Sequence, residues 1–320
     1  MSHTISPGAP LLSGYTTLFN AERVGLPYRE SIRSMLQCCD EIVVMDGGSE
    51  DGTVEGVQEL MQQDGRIRLL QSPYDPKFPL MDGSQKQLAR MACTGNAVLQ
   101  LDADEVLSDG CGPWIKEAVK GLITRNPQAV MALPVINLIG SEQAADCAGT
   151  PWKWRLSPNR RDWGHGVHLA SRRLSPSGQM YSAYTDGCEW VSLPIGEWLP
   201  VVGFGAQAHP SDPFKMAHQL QQAININMPL VWHYSGASVA RKLRMARDFW
   251  HDQWLAIRNG EDGAETKFWG IDPRGKTDEE LAEHAKKLEA DWLTYPVRAT
   301  PPAMMADWMK RMGVPRSEEW

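Results

Sequence analysis

The sequence predicts an α/β protein, with a mostly parallel sheet flanked by helices and a C-terminal helical extension. Strand-like and helix-like segments alternate over the first ~140 residues. The strand-like runs are short, apolar and bounded by turn residues, as in strands covered on both faces. From Ser238 onward the pattern is helical.

Gly14 to Phe19 reads as the first strand, and Pro27 to Gln37 as a helix with proline in its first turn. Glu41 to Met45 is a strand rich in β-branched residues. Thr53 to Gln63 is a helix with Asp51 or Thr53 near its cap. Ile67 to Gln71 is the third strand, Ser84 to Cys93 a helix, Ala97 to Leu101 the fourth strand, and Trp114 to Ile123 a helix. Residues 141–236 carry many Gly, Pro, Trp and Arg residues and read as short strands and long loops. Three helices follow: Ser238 to Arg258, Asp278 to Trp292 and Pro302 to Arg311, with a turn over Asn259 to Gly263. The expected division is a tail over 1–13, one domain over 14–236 with halves 14–140 and 141–236, and a helical region over 237–320.

A chain of 320 residues can bury a large core. Its net charge of −7 argues against a general nucleic-acid binder, though it leaves room for a local basic patch. The six cysteines include no Cys-x-x-Cys spacing, which fits reduced, buried thiols rather than disulfides or a zinc site. No apolar run is long enough to span a membrane, and no signal peptide is visible at the N-terminus. A cytoplasmic protein is expected.

Chemistry concentrates where strands end. The fourth strand runs into Asp102-Ala103-Asp104-Glu105, and an Asp-x-Asp at a strand end can hold a divalent cation by hard oxygen ligands. Such a cation can clamp a diphosphate. The second strand runs into Asp46-Gly47-Gly48-Ser49-Glu50-Asp51-Gly52-Thr53. This segment is either a strand-to-helix turn with a good cap or a place where a ligand approaches the backbone closely. There is no Gly-x-Gly-x-x-Gly and no phosphate-loop Lys-Ser/Thr.

These segments, in this order, resemble the start of family 2 glycosyltransferases of GT-A (Rossmann-like) fold. The resemblance lies in strand one leading to Asn20, the run Cys39 to Thr53, Gln85-Lys86-Gln87-Leu88-Ala89, and Leu99 to Leu107. It is similar to the bacterial subgroup that works on lipopolysaccharide cores. It implies that Asp46, with Asn20 and Glu22, contacts the uracil or ribose of a nucleotide-sugar, and that Lys86 lies close to the donor. Asp102 would bind ribose or a metal-bound water, and Asp104 would ligate Mn²⁺ or Mg²⁺ bridging the diphosphate.

Trp154-Arg155-Leu156, with His165 and His168, is similar to a later segment of that subgroup, expected to touch phosphate or acceptor; the two histidines could alternatively be metal ligands. Where a Glu often follows the last His, this chain has Leu169. His233, in Trp232-His233-Tyr234, either completes the metal shell or is a satisfied histidine at a strand end. Arg241, Lys242 and Arg244 neutralise diphosphate or form a solvated helix face. An inverting transfer needs a general base, and Asp162, Asp186 and Glu189 are the candidates.

The implied activity is metal-dependent transfer of a sugar, from a UDP-sugar foremost, to a hydroxyl on a glycan or lipid-linked glycan, with peripheral membrane contact. Arg155, Arg160, Arg161, Arg172 and Arg173, interleaved with Trp152, Trp154 and Trp163, raise modified DNA as an alternative acceptor. A non-catalytic nucleotide-sugar binder is a further alternative.

Overall fold

A computed structural model describes residues 11–74, 81–125, 130–146, 152–160, 164–166, 190–192, 201–202, 220–250 and 269–314. The first half alternates as expected: β1 (Leu12–Leu18), α1 (Tyr28–Met35), β2 (Glu41–Asp46), α2 (Thr53–Gln63), β3 (Ile67–Gln71), α3 (Met81–Ala92) and β4 (Ala97–Gln100). A short β5 (Glu105–Leu107) and α4 (Gly112–Arg125) follow. Strands β3, β2, β1 and β4 lie side by side in that order, all parallel. The chain starts at β1 in the middle and crosses over in both directions, so a crevice opens beyond the carboxyl ends of β1 and β4.

Alternation along each strand explains why both sheet faces are covered. In β2, Ile42 and Val44 pack with Ile32 and Met35 of α1, Val57 and Leu60 of α2, and Ile115 and Val119 of α4. The intervening Val43 and Met45 face the other way and pack with Tyr15, Val98, and Ala89 and Cys93 near α3. Cys38, Cys39, Cys93 and Cys111 are buried free thiols; Cys147 and Cys188 lie outside the described residues.

Beyond β4 the sheet turns antiparallel. β8 (Trp152–Pro158) pairs with β4, and β6 (Val130–Ile139) pairs with β8. β12 (Val231–Gly236) runs parallel to β6 and antiparallel to β5. β11 (Val201–Val202) also joins β6, and β9 (Gly164–Gly166) pairs with β10 (Trp190–Ser192). Sequence reading places no strand over 130–139. Pro134 stands mid-strand there, opposite Trp152, and proline removes a ladder donor that periodicity expects.

The C-terminal region shares this sheet. β13 (Thr294–Pro296) pairs with β7 (Ala144–Asp146), which pairs with β6. Trp308, on α7 (Ala306–Met312), is buried with Trp232 and Tyr234 of β12. The single helix expected from Ser238 to Arg258 is interrupted. α5 (Val239–Met245) gives way to a π-helical turn over Ala246–Trp250, where Arg247 bonds the Lys276 carbonyl and Asp278. A local change of hydrogen-bond register does not disturb the apolar period, so sequence reading passes over it. α6 (Asp278–Asp291) begins with a capping box between Thr277 and Glu280. Among the described residues, no helix is long and apolar enough to cross a membrane.

Two features give stability predictions. A Cβ on Gly236, at the end of β12, would lie 2.5 Å from the Leu138 carbonyl oxygen and 2.6 Å from Ile139 Cδ1. Gly236→Ala is expected to cost about 1–3 kcal/mol by urea unfolding, because backbone would have to move. Glu41, at the start of β2, accepts hydrogen bonds from Ser13 Oγ at 2.6 Å, Thr94 N at 2.9 Å and Thr94 Oγ1 at 3.0 Å, and pairs with Arg68. Burial pushes its carboxyl up, but these partners outweigh burial and hold it below the usual range. Its contribution is therefore full above the ordinary glutamate value of about 4.3 and is lost as pH falls through the lower folded value. Glu41→Gln is expected to destabilise at neutral pH, with the gap to wild type narrowing on acidification, measured by unfolding at several pH values.

Candidate functional site

The Gly-rich loop after β2 is organised by its own first residue. Asp46 is fully buried and accepts from Gly48 N, Ser49 N and Ser49 Oγ. Its carboxylate is spent on the turn rather than presented to solvent. Asn20 docks on the same loop: its N donates to Ser49 Oγ and its Oδ1 accepts from Glu50 N, each at 2.8 Å. With φ at +46°, Asn20 takes a left-handed conformation that asparagine tolerates better than most residues. Glu22 accepts from Tyr28 Oη at 2.7 Å and from Arg29. Asp46, Asn20 and Glu22 thus build the walls where β1 and β2 end, rather than lining the cleft.

The cleft holds about 280 Å³ beyond the ends of β1 and β4, lined by Phe19, Tyr74, Gln85, Lys86, Asp102, Asp104, Lys153, His233 and Lys242 among others. Phe19 and Tyr74 stack at 4.4 Å between ring centroids on one side. Gln85 is 6% exposed; its Nε2 donates to Ser72 and Pro73, while its Oε1 has no partner among the described residues. A buried acceptor left open at a cleft suits a ligand N–H or O–H.

Asp102 is held from three directions. Lys86 Nζ lies 2.8 Å from Oδ1, Gln100 Nε2 donates to Oδ1 at 3.0 Å, and Arg155 reaches Oδ2 at 3.1 Å. Beneath it, the fully buried Glu105 accepts from Asp102 N at 3.1 Å, Arg155 at 2.6 Å and Lys153 Nζ at 2.9 Å. Arg155 also donates to Gln100 Oε1. Burial pushes the Asp102 carboxyl up, but Lys86, Arg155 and Lys153 hold it well below the usual range. Glu105 is lowered the same way, by Arg155 and Lys153 acting against burial. Arg155, expected to touch phosphate or acceptor, has a completely buried side chain and instead braces these two carboxylates. The part of the basic-aromatic run that it represents does not face outward.

Asp104 follows Asp102 by two residues and faces β12. Its carbonyl oxygen accepts from Tyr234 N at 2.8 Å, which fixes the loop beside His233. His233 Nε2 lies 3.6 Å from Asp104 Oδ1, while Nδ1 is 2.8 Å from Asn137 Oδ1. Burial, then Lys153, push the imidazole down to about 4, although Asp104 and Glu105 oppose this. The ring is therefore neutral at pH 7, and with Nδ1–H donated to Asn137 the Nε2 lone pair faces Asp104. A metal-binding histidine characteristically has this arrangement, its other nitrogen held by an outer acceptor. Burial raises the Asp104 carboxyl, but His233 and Lys242 bring it below its ordinary value. Lys242 is pushed down to about 8, chiefly by burial.

Among the described residues, no group of three or more His, Cys, Asp or Glu could hold a metal. Asp104 and His233 supply one oxygen ligand and one nitrogen ligand. That donor pair fits a divalent cation that completes its shell with water and substrate phosphates, as Mg²⁺ does. Asp102 is less suited to ligation, since its oxygens already answer Lys86, Gln100 and Arg155. Among the described residues, Lys86, Lys153 and Lys242 line the cleft beside Asp102 and Asp104, with Arg155 and Glu105 beneath. Lysines lining a partly buried cleft attract an anionic ligand.

Lys153 and Asn137 were not anticipated from sequence. Lys153 stands one residue before Trp154-Arg155-Leu156 in β8, and its Nζ reaches Glu105 Oε1 at 2.9 Å beneath Asp102. Trp154 lies in β8 and His165 in β9, but their side chains, like His168 and the candidate bases Asp162, Asp186 and Glu189, fall outside the described residues. Arg241 is fully enclosed, donating to the Val24, Tyr234 and Ser235 carbonyls, and so joins β12 to the loop after β1 rather than forming a solvated face.

Residues 19–141 match the family model described as glycosyl transferase family 2. Over 129 residues the chain is 27% identical to a dolichyl-phosphate beta-glucosyltransferase, ALG5C, of Trichomonas vaginalis. That alignment covers 40% of this chain, and the chain spans 34% of the relative's length. Among solved structures, S. aureus TarS 1–349 in complex with UDP-GlcNAc is 15% identical, covering 86% of this chain and 79% of that one, with a TM-score of 0.35. Mannosyltransferase PcManGT from Pyrobaculum calidifontis, in complex with GDP-Man and Mn²⁺, is 12% identical over 88% of this chain and 70% of that one, with a TM-score of 0.35. The segment that carries Asn20, Asp46, Lys86, Asp102 and Asp104 is thus similar to glycosyl transferase family 2.

Proposed function

We propose that this protein is a metal-dependent glycosyltransferase that takes a sugar from a nucleoside-diphosphate donor, a UDP-sugar foremost, to a hydroxyl on a glycan or lipid-linked glycan. The observation that carries this reading is the meeting of Asp104 with His233, whose Nδ1 is held by Asn137, in a cleft lined by Lys86, Lys153 and Lys242 at the ends of β1 and β4. The family match over 19–141 covers β2, β3 and β4 and the segment with Lys86, Asp102 and Asp104, while His233 lies beyond it. The relative named as a dolichyl-phosphate beta-glucosyltransferase is in keeping with a lipid-linked acceptor.

In this reading, Asp104 and His233 would hold Mn²⁺ or Mg²⁺, which when bound would supply positive charge to a nucleoside diphosphate leaving group. Asn137 keeps His233 in the tautomer whose Nε2 can ligate. Lys86 and Arg155 keep Asp102 ionised and oriented, so that it can accept from ribose hydroxyls or metal-bound water. Phe19 and Tyr74 offer an apolar wall for base or sugar, and Gln85 Oε1 an acceptor beside it. The acceptor's proton goes to a general base, with Asp162, Asp186 and Glu189 as candidates, and transfer proceeds with inversion.

A thermal-shift screen of UDP-, GDP- and dTDP-sugars, with Mn²⁺ and with EDTA, tests the reading. A donor present at ~100 times its Kd is expected to stabilise the fold by about 2.7 kcal/mol, read as a raised Tm that is largest with Mn²⁺. No shift with any donor in either condition would defeat it.

A further inference from the structure

We propose that Gln85 of α3 selects the base of the donor: its Oε1 accepts from the ring N–H that uracil, thymine and guanine carry, and so disfavours cytosine and adenine nucleotides. The inference rests on the donor-binding reading above and deepens it by naming the class of base.

The orientation of the amide is forced by its neighbours. Nε2 lies 3.3 Å from the Ser72 carbonyl oxygen, 3.3 Å from Ser72 Oγ and 3.4 Å from the Pro73 carbonyl oxygen. Two of these three are carbonyls, which accept and never donate, so the NH₂ end of the side chain must face them. Oε1 is the other end, and it has no hydrogen-bond partner among the described residues. Gln85 is 6% exposed and lines the cleft. An acceptor withdrawn from water and left without a donor is costly. A ligand donor seated in the cleft removes that cost, and with the NH₂ held elsewhere the amide cannot exchange roles.

The surroundings suit a base. Phe19 and Tyr74, stacked at 4.4 Å, line the same cleft as Gln85. Tyr74 directly follows the Ser72-Pro73 pair that holds the Gln85 amide, and its N donates to the Gly47 carbonyl at 2.8 Å. A Cβ on Gly47 would lie 2.9 Å from Tyr74 Cβ, so glycine there lets Tyr74 pack against the loop after β2. Aromatic faces take flat rings by stacking, and a stacked base presents its N–H at its edge. Asp46, the acceptor that the family resemblance suggests for the base, already receives Gly48 N, Ser49 N and Ser49 Oγ. Uracil and thymine offer N3–H to Gln85 Oε1, and guanine offers N1–H. Cytosine N3 and adenine N1 present a lone pair instead. Acceptor facing acceptor leaves both unsatisfied in a site shielded from water.

The test is calorimetric titration of the full chain with two pairs of nucleotides, UDP against CDP and GDP against ADP, in Mn²⁺ and in EDTA. In whichever pair binds, wild type is expected to hold the member with the ring N–H about tenfold or more tightly than its mate, the size of one hydrogen bond left unmade. Gln85→Leu is expected to weaken that member by about tenfold while leaving its mate within about twofold, so that the preference disappears. A merely structural defect would weaken both members alike. Gln85→Met, unbranched and of similar length, is a second variant should Gln85→Leu fold poorly, and the wild-type preference is measured without any variant. CDP or ADP bound by wild type as tightly as its mate would overturn the proposal, as would a preference that survives in the folded variants. Either result leaves the glycosyltransferase reading standing, because a nucleotide is still bound. Absence of binding by all four nucleotides in both conditions would remove both.

Discussion

Asp104→Asn is expected to reduce sugar transfer by roughly 10²- to 10³-fold while the protein stays folded, the scale of losing one preorganised group that meets developing charge. The substitution keeps size and hydrogen-bonding shape but removes the negative charge. His233 Nε2, 3.6 Å away, then faces an amide instead of a carboxylate, and the pair loses its hard anionic ligand. Lys242, which now shares the cleft with Asp104, would be left with less compensation, so part of the loss is electrostatic. Measured kcat/KM across a Mn²⁺ titration checks this. The variant should need more metal and reach a lower plateau. Turnover within a few-fold of wild type, at the same metal requirement, would sink the assignment of Asp104.

Glu105→Ala is expected to have the largest effect on stability, about 3–5 kcal/mol, as found when one member of a buried ion pair is removed. Glu105 and Arg155 both have completely buried side chains, and Lys153 is nearly so. Removing the carboxylate takes a shared partner from Lys153 and Arg155, leaving Arg155 to Asp102 and Gln100, and deletes the acceptor for Asp102 N. Urea unfolding should show a lower midpoint with an unchanged m-value. Adding Arg155→Met to Glu105→Ala should recover part of the loss, because the guanidinium that lost this partner goes with it. A midpoint equal to wild type in the single variant would show that the network carries no net stability.

The positions of Lys86, Asp102 and Asp104 at the cleft were legible because two of them lie where a strand ends, and strand ends follow from apolar runs and turn residues. Asp102 and Asp104 follow the apolar run of β4 directly, and local spacing alone placed them at a crevice. Asp46 was legible in position, while the turn of its side chain back onto Gly48 and Ser49 came only with the folded loop. The sequence reads Arg155 as a phosphate or acceptor contact, yet its side chain is turned inward, where Gln100, Asp102 and Glu105 accept from it.

By itself, the sequence determined the alternation of the first half, the parallel sheet it implies, and the place of the paired aspartates. These depend on neighbours within a few positions, through side-chain period and turn chemistry. Only the tertiary structure decided that His233 meets Asp104, that Asn137 sets its tautomer, and that Lys153 stands beside both. Those partners are separated by about 50 to 130 positions, and the register of β8 against β4 and of β12 against β5 and β6 brings them together. Register is a property of paired strands, fixed by which faces are buried, and a single strand does not carry it.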